Sequence, residues 1–124
     1  MTPHLTAIAL GGAAGAVCRF GVNLLLVRAF GVHSSWGTLL VNLLGCLLAG
    51  LFLGAGVAAG SLRHSGVVVG FLGAFTTFSA FGLDCVLLAE NRHYAAAAGY
   101  LVGNVAGGLG AAWAGIAAAR ALVG

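Results

Sequence analysis

The sequence predicts an all-α membrane protein of four transmembrane helices, the third of them broken near its middle. Of the 124 residues, 61% are hydrophobic and only 6% are charged, whereas soluble domains carry about a quarter charged residues. A span needs about 20 apolar residues to cross a hydrocarbon core of about 30 Å. Four apolar runs of about that length occur, at residues 5–27, 37–57, 66–88 and 95–119. Because the loops between them are short, we expect one four-helix domain covering residues 1–124.

The third run carries the segment TTFSAF, residues 76–81, at its centre. A hydroxyl taken into hydrocarbon without a partner costs about 1–3 kcal/mol, so this segment is poorly suited to facing lipid. Gly70 and Gly73 precede it and weaken the helix there. Broken helix at membrane depth is tolerated only where it is buried in protein or lines a wet cavity. The segment therefore predicts a pore or a binding site.

The loop charges give little preference for either membrane orientation. Basic residues in short loops set orientation, and with four spans Arg63 and Arg120 lie on one side while Arg28 and Arg92 lie on the other. Either Arg19, inside the first run, and the histidines decide the orientation, or the chain inserts both ways and pairs with an inverted copy of itself. Four helices alone enclose too little volume for a sheltered pore, which also favours an oligomer.

The last run carries small residues at strict four-residue intervals, which form one continuous groove along a helix. They are Gly99, Gly103, Gly107, Ala111, Gly115 and Ala119. Small residues let helices approach closely within a membrane. The stripe predicts tight packing, with helices of the same chain and of a neighbouring chain as equally good partners.

Polar and aromatic residues inside the runs indicate where an activity lies. Thr38 and Asn42 are four apart and share one helix face. Asn42 either joins two helices by a hydrogen bond or lines a polar path, and the nearby hydroxyl cluster favours the path. Aromatic rings have a positive edge, so Phe78 and Phe81 are able to favour an anion without a formal charge. Asn104 is another candidate pore-facing donor.

Two ionisable side chains, Arg19 and Asp84, lie within the apolar runs. An unpaired charge at mid-bilayer costs at least about 2.5–3.5 kcal/mol on insertion scales. Either the two side chains pair with each other in the membrane, or Arg19 reaches the interface and Asp84, near one end of its span, lines a vestibule. The sequence leaves both interpretations open.

Several function classes are excluded by what the chain lacks. It has no Ser/His/Asp or Cys/His arrangement, no phosphate loop and no paired metal-ligating side chains, so we expect no enzyme. Its arginines are scattered singly rather than clustered, which argues against nucleic-acid binding. Cys18, Cys46 and Cys85 lie in apolar runs without CxxC spacing and are predicted to be inert core residues.

Three segments resemble the signature segments of the Fluc/CrcB fluoride channels. They are GGAAGAVCRF (11–20), GTLLVNLLG (37–45) and GFLGAFTTFSAFG (70–82), and the resemblance covers the whole chain in order. It implies a fluoride-selective passive channel that exports fluoride from the cytoplasm. It also implies an antiparallel homodimer with two pores, in a cell inner membrane or plasma membrane.

The resemblance also implies roles for individual residues. A structural sodium ion at the dimer centre is held in this family by backbone carbonyls that match Gly73 and Thr76. The family's acidic residue and first-helix arginine match Asp84 and Arg19. With the residues named above, the candidates for the fluoride path are Thr38, Asn42, Thr77, Phe78, Ser79, Phe81 and Asn104.

The chain departs from the family pattern at Ala74, Ala80, Asn104 and Gly108. These departures leave open a heterodimeric channel in which this chain pairs with a complementary one. A proton-coupled small multidrug transporter would need an acidic residue in the first helix, which instead holds Arg19 and no acid. A non-transporting assembly protein would leave the polar TTFS cluster without a use.

Overall fold

The computed structural model describes all 124 residues, and every regular element in it is helical. We number five helices, with α3 made of a π-helical stretch, His64–Leu72, followed by one α-helical turn, Gly73–Phe75. They are α1 (Thr2–Phe30), α2 (Ser34–Gly54), α3 (64–75), α4 (Phe78–Glu90) and α5 (Tyr94–Val123). Taking α3 and α4 together as one span, four helical segments are long and apolar enough to cross a membrane. The predicted four-helix membrane protein is confirmed.

The third span is broken, as predicted, and the break lies at Thr76 and Thr77. Both residues are extended, with φ/ψ of −82°/159° and −148°/116°. The Thr77 hydroxyl oxygen then accepts a hydrogen bond from the Ala80 N–H at 3.2 Å, an arrangement typical of a helix N-cap. The second helix ends at Gly54, before the end of the apolar run at 57, and Gly56 just beyond it has a φ of 82°.

Helix α1 packs against α3 by direct backbone approach. A Cβ added at Gly11 would overlap the Gly66 carbonyl oxygen, and one added at Gly15 would overlap that of Phe71. Glycines on one face of α1 therefore set its distance to the first half of the broken span. Close approach of this kind is how helices associate in a membrane.

The small-residue stripe of α5 packs against α2 of the same chain. A Cβ at Gly115 would overlap the Leu47 carbonyl oxygen, and a Cβ at Gly107 would lie 2.9 Å from Leu43 Cδ2. Gly99 takes no part in this contact, because nothing lies within 4 Å of a Cβ placed there. The structure thus assigns most of the predicted groove to an intramolecular contact.

The loops fall at alternate ends of the bundle. His33 and His93, from the first and third loops, line one cavity together. At the opposite end His4 Nδ1 and Ser65 Oγ are 2.8 Å apart, which joins the N-terminal end to the segment after the second loop. Of the four arginines in the loops and near the C-terminal end, two therefore lie towards each end of the bundle, in agreement with the count from the sequence.

Candidate functional site at the broken helix

Asn42 of α2 is bonded to the backbone of Thr77 at the break. The Thr77 N–H donates to Asn42 Oδ1 at 2.8 Å, and Asn42 Nδ2 donates to the Thr77 carbonyl at 3.1 Å. An extended residue at membrane depth would otherwise leave its donor and acceptor unpaired, at a cost of several kcal/mol per group. The side chain of Asn42 thus takes the place of the helical partners that Thr77 lacks.

The hydrogen bonds continue from Asn42 to α5. Asn42 Nδ2 also donates to Asn104 Oδ1 at 2.9 Å, and Asn104 Nδ2 donates to the Tyr100 carbonyl at 3.0 Å. Of the two interpretations of Asn42, the hydrogen bond between helices is observed. Asn42 also lines the cavity described below, so the second interpretation is compatible with the first.

The break leaves the backbone carbonyls of residues 73–76 without their helical partners, and Gly73 and Thr76 are two of these four residues. In a continuous α-helix the N–H groups of Thr77 and Ala80 would donate to the carbonyls of Gly73 and Thr76, four residues earlier. Here those N–H groups donate instead to the side chains of Asn42 and Thr77. The carbonyl oxygens of Gly73 and Thr76 are therefore left without their helical partners. Released carbonyl oxygens are suited to a hard monovalent cation.

The two intramembrane charges do not pair with each other within this chain. Arg19 Nε donates to the Ala74 carbonyl at 3.0 Å, and a cation is favourable at that carboxyl end of α3. Asp84 Oδ2 accepts a hydrogen bond from the Tyr100 hydroxyl at 2.9 Å. Arg19 therefore lies at the break, whereas Asp84 lies on the α4–α5 side of the bundle.

Phe78 and Phe81 meet edge to face, with centroids 5.5 Å apart and planes at 71°. Phe81 is 6% exposed, and Phe78 is 82% exposed. The Phe81 ring also lies 5.7 Å from that of Tyr100. Both rings lie on the first turn of α4, directly after the break.

A cavity of about 350 Å³ lies at the break and is open on the outer side of the bundle. Of the residues predicted for the path, five line it: Asn42, Thr77, Phe78, Phe81 and Asn104. Thr76, Cys46 and Gly108 also contribute to its wall. Thr38, buried one turn before Asn42, and Ser79, whose hydroxyl lies 3.3 Å from that of Thr77, lie outside it.

A second cavity, of about 480 Å³, opens at the end of the bundle that holds the first and third loops. Asp84 lines it together with His33, His93 and Asn91. An adjoining cavity of about 300 Å³ shares Ser35 and Leu88 with it and reaches Tyr100. The Asp84–Tyr100 hydrogen bond therefore lies between this outer vestibule and the Phe81 ring.

Tyr100 was not among the residues predicted from the sequence. It bonds Asp84, contacts Phe81 and accepts from Asn104, and so connects three of the residues that were predicted. A tyrosine within an apolar run was the available signal, because a buried hydroxyl usually finds a partner. Two positions of the third loop that line the second cavity, 91 and 93, were likewise not predicted as site residues.

Four apolar spans, a break and a polar cavity at that break define a multi-pass membrane protein with a site for a small solute or ion. No group of three or more His, Cys, Asp or Glu side chains is placed to hold a metal. A family model described as "CrcB-like protein, Camphor Resistance (CrcB)" matches residues 6–116. The chain belongs to this family.

Curated relatives match nearly the whole chain. A protein of Pseudomonas putida named "Fluoride-specific ion channel FluC" is 44% identical over 97% of this chain and 99% of its own length. A protein of Stutzerimonas stutzeri with the same name is 42% identical over 92% of this chain and 94% of its own. One from Chloroflexus aurantiacus, also so named, is 41% identical over 86% of each. The family resemblance seen in the sequence is confirmed.

Proposed function

We propose that this chain is a fluoride-selective channel that carries fluoride passively out of the cytoplasm. Relatives named as fluoride-specific ion channels are 41–44% identical over most of its length. These names agree with the expectation that the chain is not an enzyme. The residues it would use lie where the third span is broken and where donors and ring edges come together.

The observation that carries the proposal is the Phe78–Phe81 pair beside the amides of the break. Fluoride is small and strongly hydrated, so a pore must replace its water shell with donors. Amide N–H groups and positive ring edges supply such donors without a formal charge that would hold the anion too tightly. In a narrow constriction lined by such ring edges, a larger anion such as chloride would fit poorly.

We propose that the channel is an antiparallel homodimer with two fluoride paths. The cavity at the break is open on one side, and Phe78 at its edge is 82% exposed in the single chain. A hydrated anion cannot pass along a groove that faces lipid, so another protein surface must close it. A second copy, inverted in the membrane, is consistent with the even arginine count.

A structural sodium ion at the centre of this dimer completes the proposal. Two carbonyls from each copy would hold it, those of Gly73 and Thr76, which match the family's sodium ligands and which the break leaves without helical partners. The ion would supply positive charge that holds four carbonyl oxygens together. The membrane we expect is a cell inner membrane or plasma membrane.

Fluoride release from liposomes tests the function directly. Purified chain is reconstituted in vesicles loaded with potassium fluoride, valinomycin is added, and external fluoride is read with an electrode. We expect fluoride release that needs no proton gradient, with no matching release of chloride from chloride-loaded vesicles. Release that depends on a proton gradient would indicate a coupled transporter. No release from the purified single chain would reject a homodimeric channel and leave a heterodimer to be sought.

A further inference from the structure

The hydrogen bonds at the break fix the orientation of both asparagine amides. Asn42 exchanges two bonds with the Thr77 backbone, and a backbone N–H only donates while a carbonyl only accepts. Asn42 Oδ1 must therefore face the Thr77 N–H, and Nδ2 must face the Thr77 carbonyl. With Nδ2 of Asn42 so placed, the Asn104 atom 2.9 Å from it must be an oxygen.

Counting donors then separates the two asparagines. An amide NH₂ group has two N–H donors. Those of Asn42 are both used, one on the Thr77 carbonyl and one on Asn104 Oδ1. Asn104 uses one donor on the Tyr100 carbonyl, and its second N–H has no acceptor in the chain.

The position of Asn104 makes its second N–H a candidate donor to an anion in the cavity. Asn104 is 8% exposed and lines the cavity at the break together with Phe78 and Phe81. A buried donor without a partner costs about 1–3 kcal/mol, and an anion in the cavity would satisfy it. Both N–H donors of Asn42 are already engaged, so Asn42 has no free donor for an anion.

We infer that Asn104 supplies the amide donor that meets fluoride, and that Asn42 is a positioning residue. Asn42 holds the Thr77 backbone on one side and orients the Asn104 amide on the other. The inference rests on the proposed function, because it names the contact that fluoride makes in that path. It also gives Asn42 an effect on the Gly73 carbonyl, since Asn42 takes the N–H that would otherwise bond it.

Selective labelling of asparagine with nitrogen-15 tests this contact in the purified full-length chain. The chain has four asparagines, Asn23, Asn42, Asn91 and Asn104, so four side-chain NH₂ signals are expected. Substitution of each asparagine in turn by glutamine assigns the signals. We expect fluoride to shift one proton of the Asn104 NH₂ group strongly and saturably, with smaller shifts at Asn42. Asn23 and Asn91 are internal references, and chloride is the control anion.

The outcomes separate this inference from the proposed function. A saturable fluoride shift at Asn42 with none at Asn104 overturns the inference, as does the absence of a shift at both in protein that releases fluoride from liposomes. Protein that releases no fluoride at all contradicts the proposed function instead.

Flux through two variants supplies an independent readout. Asn104→Ala should lower fluoride release by about tenfold to a hundredfold, as expected for loss of one hydrogen bond to a charged group. Asn104→Ser, which keeps a donor, should recover part of that loss. Elution as a dimer on size exclusion checks that both variants assemble, and undiminished release by an assembled Asn104→Ala protein would overturn the inference.

Discussion

Phe78 and Phe81 form an edge-to-face pair in which one ring is buried and the other exposed. Their centroids lie 5.5 Å apart, while the exposed fraction is 6% for Phe81 and 82% for Phe78. Phe81 is held by its own chain, against Tyr100. Phe78 is one turn earlier on the same helix and reaches out of the bundle. The pair thus joins the interior of one subunit to the surface that we expect a second subunit to cover.

Phe81→Ile should nearly abolish fluoride release, because it removes a ring edge that meets the anion and an aliphatic side chain has no positive edge to replace it. The substitution keeps an apolar side chain of similar volume, so the dimer should still form. The measurement is fluoride release from liposomes with dimer content checked by size exclusion. Phe30→Ile, at an exposed ring near the end of α1, is the matched control and should leave release unchanged. Equal release from the two variants would reject the role of the ring edge.

Gly50→Ala should destabilise the protein by about 1–3 kcal/mol, the usual cost of forcing extra volume into a packed site. A Cβ at Gly50 would overlap the Ala112 carbonyl oxygen of α5, and backbone on both sides prevents easy adjustment. Gly99→Ala is the control, because nothing lies within 4 Å of its added Cβ. Thermal denaturation in detergent should show a lower midpoint for Gly50→Ala only. Equal midpoints would mean that the α2–α5 contact is looser than the structure has it.

How far the sequence predicts this molecule can be seen at the break. Composition and run length predict the four spans, because lipid imposes a length and a hydrophobicity on every helix that crosses it. Hydroxyls at mid-span predict the break itself. The hydrogen-bond partners of Thr77 could not be predicted, because whether Asn42 faces α3, α5 or lipid depends on how α2 is rotated about its axis. Tyr100 and the separation of Arg19 from Asp84 depend on that same packing, which no local pattern encodes.

If fluoride passes through the cavity at the break, silver ions that bind the Cys46 thiol should block fluoride release. Cys46 lines that cavity, and a Cβ placed at the facing Gly108 would lie 3.3 Å from its sulfur. A bound metal ion there would obstruct a passage only a few atoms wide. The assay uses nitrate and fluoride salts, since chloride would precipitate silver. Cys46→Ser should be insensitive, and protein carrying Cys18→Ser and Cys85→Ser should remain sensitive. Block that persists in Cys46→Ser would place the path elsewhere.

Removing sodium should lower the stability of the assembled protein. A ligand that binds only the folded state at a hundredfold excess over its Kd stabilises by about 2.7 kcal/mol. Thermal denaturation would be compared in sodium, potassium and N-methylglucamine salts of equal ionic strength. We expect the highest midpoint in sodium. Thr76→Val keeps the backbone carbonyl and should retain the sodium effect, whereas identical midpoints in the three salts would argue against the cation.

Labelling of the second loop tests whether the chain inserts in both orientations. Ser61 lies in that loop, outside the helices, and a Ser61→Cys substitution in a chain lacking its native cysteines gives one reactive thiol at one end of the bundle. With two arginines towards each end, neither orientation is preferred by loop charge. An impermeant maleimide added outside intact cells should therefore label about half of the thiols, and lysis should expose the rest. Adding two lysines to the second loop should shift the chain towards one orientation and lower fluoride release, because an inverted partner becomes scarce. Full labelling or none in the unmodified loop would mean that every copy points the same way, and the two-path antiparallel dimer would have to be abandoned.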